Sequence, residues 1–121
     1  MRLTLAHAVL LCRHLDGTAT FYRETLGLPV AWELPGWLEL DAGGTRVSLR
    51  RRDRPYDGEA PSGVGVQLAF RVEPEQVDAW HERLLRAGAE VLEAPATTDY
   101  GHRTLFFRDP EGNVVEIYAE V

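Results

Sequence analysis

Hydrophobic positions along this chain follow two periods in turn, and the same order of periods occurs twice. Ala8, Leu10 and Cys12 alternate with His7, Val9 and Leu11, the two-residue repeat of a strand whose side chains point to opposite faces. Residues 18–26 then read as a helix, with Phe21, Tyr22 and Leu26 as its apolar face, Asp16 as its N-cap and Gly27 as its stop. Residues 37–41 and 45–49 read as strands joined through Gly43-Gly44. In the second half, Leu68, Phe70 and Val72 share one face of a strand. Residues 75–87 follow as a helix with Pro74 in its first turn, a stripe of Val77, Trp80, Leu84 and Leu85, and Gly88 as its stop. Residues 105–109 then lead through Asp109-Pro110-Glu111-Gly112-Asn113, in which proline presets φ and glycine accepts positive φ, into the strand 114–117.

The spacing supports a duplication. Asp41 to Asp109, Gly44 to Gly112 and Ser48 to Glu116 are each 68 positions apart, and the first strands align at an offset of 60. Each half therefore predicts strand, helix and three strands, an α+β arrangement of two βαβββ modules. The expected bounds are residues 1–53 and 64–121, with a linker over 54–63 that is rich in turn formers. Halves this small predict one domain built from two modules.

Composition narrows the function. A chain of 121 residues buries roughly two-thirds of its unfolded surface, enough for a core without cross-links. Its net charge of −6 opposes nucleic-acid binding, which calls for a basic stripe. Arg50-Arg51-Arg52 with Arg54 reads as a solvated strand end. The single cysteine, Cys12, allows no internal disulfide and reads as a small buried apolar residue. No leader or membrane-spanning run is legible, which predicts a cytoplasmic protein with no membrane partner.

Alternation sorts the remaining side chains. One strand face is aliphatic and suits helix packing. The other collects His7, Ser48, Arg50, Gln67, Arg71, Glu116 and Tyr118, polar groups that are costly to bury unless paired. The strand carrying His7, the helix end Phe21-Tyr22 through Leu26-Gly27-Leu28, and the close Asp109-Pro110-Glu111-Gly112-Asn113 through Glu116 resemble the vicinal oxygen chelate superfamily. That group holds glyoxalase I, extradiol dioxygenases, fosfomycin-resistance enzymes and bleomycin-resistance proteins. The resemblance covers essentially the whole chain and implies a partly open, eight-stranded mixed barrel with helices outside, commonly in a homodimer.

Carried over by position, the family's metal-ligand places fall on His7, Ser48, Gln67 and Glu116. Ser48 departs from the Glu, Gln or His found there, which leaves His7, Gln67 and Glu116 as the implied ligands of a divalent metal. An imidazole nitrogen, an amide oxygen and a carboxylate suit manganese, iron, nickel, cobalt or zinc. Each residue also has a plainer reading: His7 as a hydrogen-bonded core histidine, Glu116 as a partner of Arg50 or Arg103, and Gln67 closing that network. His102 is a candidate acid or base near neutral pH, with Tyr100 beside it, or else a surface-loop histidine. Arg50, Arg103, Trp37, Tyr118 and Ser48 are candidate substrate contacts, with Trp37 at the pocket mouth and Trp32 and Trp80 in core or interface.

Two classes of function follow. One is a metal-dependent lyase, isomerase or oxygenase acting on a small substrate with adjacent oxygens. The other is a metal-free protein that sequesters a drug, as bleomycin-resistance proteins do.

Overall fold

The computed structural model describes residues 1–57 and 66–121, so 58–63 of the expected linker and 64–65 of the second module lie outside the described residues. The chain divides into two compact units, Met1–Ala60 and Pro61–Val121. The first contains β1 (His7–Cys12), α1 (Leu15–Thr20), a π-helical turn (Phe21–Thr25), β2 (Val30–Leu34), β3 (Trp37–Asp41), β4 (Arg46–Arg51) and a 3-10 turn (Pro55–Asp57). The second contains β5 (Gln67–Arg71), α2 (Gln76–Arg86), β6 (Glu90–Thr97), β7 (His102–Arg108) and β8 (Val114–Glu120). The sheet orders are β1-β4-β3-β2 and β5-β8-β7-β6, so the topology is the same in both. In each sheet the first strand runs parallel to the last and the other pairs are antiparallel. The α+β class and the paired βαβββ modules read from the sequence are the ones found.

Each unit packs its helix on one face of its sheet. In the first, Leu10, Cys12, Leu38, Leu40, Val47 and Leu49 are buried, and α1 lies on β4. In the second, α2 lies on β6, β7 and β8 with Val77 and Leu84 fully buried, and Leu105, Phe107, Val115 and Ile117 form the sheet side. Truncating a side chain such as the wholly buried Phe107 costs about 3–5 kcal/mol.

Several local expectations change. The first helix starts earlier than residue 18, with His14 as N-cap and no side-chain cap bond. Asp16 therefore sits in the first turn, where its charge complements the helix dipole. The segment then widens into the π turn, in which the Leu26 N–H reaches the Phe21 carbonyl at 3.0 Å. In the second helix Leu85 is 56% exposed, because the stripe closes on Val77 and Leu84 alone. Trp80 is half-buried, with the Arg83 guanidinium 5.1 Å from its ring centroid. Gly88 stops α2 at φ 74°, with the Gly88 and Ala89 N–H groups donating to the Leu85 and Leu84 carbonyls.

The repeat also needs one correction. Glu39 faces Ser48 across β3–β4, whereas Phe106 faces Glu116 across β7–β8. The last strands of the two units are related by 68 residues, but β3 and β7 by 67, because the second hairpin loop carries one extra residue. The buried pairs Leu38 with Leu105, and Leu40 with Phe107, match only at 67. Among the described residues, no helix is long and apolar enough to cross a membrane.

Candidate functional site

The face of the first sheet turned away from α1 carries the polar side chains. Leu38 and Leu40 point to the helix, so Trp37 and Glu39 point the other way, with Ser48 on β4 and His7 on β1. Ser48 is wholly buried there, and His7 Nδ1 lies 2.7 Å from its Oγ. When Nδ1 carries the proton, the ring donates to the hydroxyl and Nε2 keeps its lone pair. That is the tautomer a cation at Nε2 selects, and the hydroxyl fixes the ring plane. Ser48 therefore orients His7, and its burial does not fit the substrate contact expected of it.

Next to this pair stands a carboxylate that sequence reasoning missed. Trp37 Nε1–H donates to Glu39 Oε2 at 2.6 Å, the Arg46 guanidinium bonds Oε1, and the Glu39 side chain is only 12% exposed. The Trp37 N–H, with help from Arg46, holds Glu39 below the usual carboxylate range. The available signal was the alternation of Trp37, Leu38, Glu39 and Leu40, which already put Glu39 on the polar face. The Trp37 ring lies 6.2 Å from the His7 ring, tilted by 50°. It also helps line a cavity of about 470 Å³ with Trp32, Leu34, Glu39 and Arg50.

In the second unit, Glu116 of β8 lies between Ala69 of β5 and Phe106 of β7. Gln67 Nε2 reaches Glu116 Oε1 at 3.5 Å, the outer limit of a hydrogen bond and too long to hold the carboxylate firmly. The contact uses the amide nitrogen and not the amide oxygen. Farther along the same face, His102 stacks on Tyr118 at 5.0 Å with 22° between the rings, and Tyr100 meets it edge-on at 5.2 Å. Thr98 Oγ1 accepts from the His102 backbone N–H at 3.0 Å and fixes the start of β7. The structure thus brings together Tyr100, His102 and Tyr118, and Gln67 with Glu116.

Two arginines expected at the substrate are committed elsewhere. Arg103 shares the helix-facing side of β7 with Leu105 and Phe107, and its guanidinium donates to both oxygens of Asp78 on α2, at 2.8 and 3.0 Å. That hydrogen bonding lowers the Asp78 pKa and raises that of Arg103. Arg103 thus pairs with Asp78 and not with Glu116. Arg50 donates to both oxygens of Asp57, at 2.7 and 3.0 Å, and the Asp53 and Arg54 N–H groups donate to the same carboxylate. The Arg50 bonds lead in depressing the Asp57 pKa to about 2. Arg50 is therefore clamped by one carboxylate, its side chain 14% exposed and no solvated strand end, while Arg51 is exposed.

As donors, the implied metal ligands suit a divalent cation of borderline hardness: Nε2 of His7, the amide oxygen of Gln67 and the carboxylate of Glu116. Among the described residues, no three His, Cys, Asp or Glu side chains gather to hold an ion.

The sequence matches the family described as the Glyoxalase/Bleomycin resistance protein/Dioxygenase superfamily over residues 4–117. The chain belongs to this superfamily. Within known proteins, it is 31% identical over 123 residues to the uncharacterized protein YraH of Bacillus subtilis, covering 90% of this chain and 92% of that one. It is 36% identical over 78 residues to the metallothiol transferase FosB of Shouchella clausii, a match spanning 64% of this chain and 53% of that protein. Among solved structures, a glyoxalase/bleomycin resistance protein/dioxygenase family enzyme from Burkholderia phytofirmans superposes with a TM-score of 0.88 at 25% identity, covering 98% of this chain and all of that one. The superfamily thus accounts for the duplicated βαβββ topology.

Proposed function

We propose that this superfamily member is a divalent-metal-dependent enzyme acting on a small substrate with adjacent oxygens, by lyase, isomerase or group-transfer chemistry. The observation that carries the reading is the His7 imidazole held through Nδ1 by a buried hydroxyl, which leaves Nε2 as the metal-binding atom. The resemblance to the superfamily implies Glu116 and Gln67 as further ligands. The similarity to a protein named as a metallothiol transferase supports metal dependence and adds transfer of a thiol to the candidate reactions. When bound, the cation supplies Lewis acidity to oxygens of the substrate.

The chain's own residues do the rest. Ser48 keeps the imidazole in one plane. His102, stacked on Tyr118 with Tyr100 edge-on to it, accepts or donates the proton that the reaction moves. Glu39, kept ionised by Trp37 and Arg46, orients polar groups of the substrate.

A second reading, metal-free sequestration of a drug, is favoured by the cavity beside Trp32 and Trp37 with Glu39 at its wall. Calorimetric titration of chelator-treated protein with zinc and manganese separates the two. One site per chain, lost in His7→Ala and weakened in Glu116→Gln, supports the enzyme. No saturable metal binding, with drug binding intact, refutes it.

A further inference from the structure

The cavity in the first unit has a feature that neither metal binding nor general family membership requires: one of its aromatic walls is pinned in place. A tryptophan on a half-buried strand normally leaves its indole N–H to water or to any nearby acceptor. Trp37 instead donates to Glu39 Oε2 at 2.6 Å, and Glu39 is itself fixed by Arg46 through its other oxygen. The indole plane is therefore set before any ligand arrives. Its ring stands 6.2 Å from the ring of His7 and also borders the cavity of about 470 Å³ that Trp32 and Leu34 share. Arg50 at the cavity wall is charge-compensated by Asp57, which takes both of its terminal nitrogens, so this side of the cavity carries no strong net field.

We infer that Trp37 is a specificity-determining residue whose pinned ring, with Trp32, receives a flat aromatic or heteroaromatic part of the substrate, and that Glu39 is the positioning residue that holds that ring. This rests on the proposed reading in one respect, that the substrate's oxygen-bearing end is engaged at His7. A preset indole pays little ordering entropy when a planar group stacks on it, and stacking favours planar over puckered rings. The substrate class then becomes a small molecule with adjacent oxygens joined to a planar group, rather than a short aliphatic one.

The test uses the full chain in chelator, so that no metal contributes, with a vicinal dihydroxynaphthalene as flat probe and a vicinal cyclohexanediol as puckered control, both measured by calorimetry. The flat probe is expected to bind and the puckered one to bind at least about tenfold more weakly, a difference of about 1.4 kcal/mol. Trp37→Leu and Trp32→Ala each weaken the flat probe. Glu39→Ala weakens it too, and Glu39→Gln, whose amide oxygen can still accept the indole N–H, restores it. Trp32 is 54% exposed, so its replacement tests the cavity even if Trp37→Leu fails to fold. Equal binding of the two probes, or flat-probe affinity unmoved by Trp32→Ala and Glu39→Ala, overturns the inference. Flat-probe binding that depends on Trp37 in a protein that takes up no metal upholds it while refuting the metal reading.

Discussion

Replacing Ser48 by alanine isolates the interaction on which the metal reading turns. The change removes one oxygen from a wholly buried site and leaves His7 in place, with its Nδ1 deprived of the partner at 2.7 Å. The net loss of one such hydrogen bond is about 1 kcal/mol of folding stability, and the alanine leaves almost no void. A drop of a few degrees in Tm is expected. Metal affinity should suffer more, because an unheld imidazole samples other ring planes. Removing the partner of a ligating histidine typically weakens metal binding about 10–100-fold, or about 1.4–2.7 kcal/mol. The assay is competition between chelator-treated protein and a chromophoric zinc chelator, for wild type, Ser48→Ala and His7→Ala. The account expects a graded series: tight, weaker, absent. Wild-type affinity in Ser48→Ala beside complete loss in His7→Ala would show that the hydroxyl does not orient the ligand. Wild-type affinity in both would remove His7 from any metal site.

Three further outcomes follow from local geometry. Asp57 has its pKa lowered from 3.8 to about 2 by Arg50, so its contribution to stability is present above pH 3.8 and lost as the pH falls through 2. Thermal melts between pH 5 and pH 2 should therefore show a destabilisation in wild type that Asp57→Asn lacks, the variant being less stable already at pH 5. Asp109, 4% exposed, accepts from the Glu111 and Asn113 N–H groups and from the Asn113 amide. Asp109→Ala should cost about 2–4 kcal/mol by urea denaturation, since bonds to a charged acceptor are worth about 1.5–3 kcal/mol each and partly regain water; a loss below about 0.5 kcal/mol would contradict this role. Gly88→Ala meets no atom within 4 Å but must adopt φ 74°, so about 1 kcal/mol of strain is expected in the same assay.

Legibility in the sequence followed the range of the interaction. The duplicated order of elements, the glycine helix stops and the Asp109 turn are local signals, and all three appear in the structure. Periodicity also separated the helix-packed face from the polar one. It should have placed Arg103 with Leu105 and Phe107 on the helix side, but attention to the loop before β7 obscured that alternation. Glu39 was hidden by assuming a single offset of 68, which set it against the position of Phe107 instead of Phe106. One extra loop residue caused that error, and strand burial, unknown from sequence, corrects it. The Arg50–Asp57 clamp and the His7–Ser48 bond join residues whose pairing depends on strand register and loop path, which no hydrophobic period encodes.

The central claim is that this chain holds a divalent metal through His7. Elemental analysis of the full chain purified without chelator, alongside His7→Ala prepared identically, addresses it most directly. About one transition-metal ion per chain in the wild type and none in the variant is the predicted result. Equal metal content in both, or none in the wild type even after incubation with manganese, nickel and zinc, would contradict it.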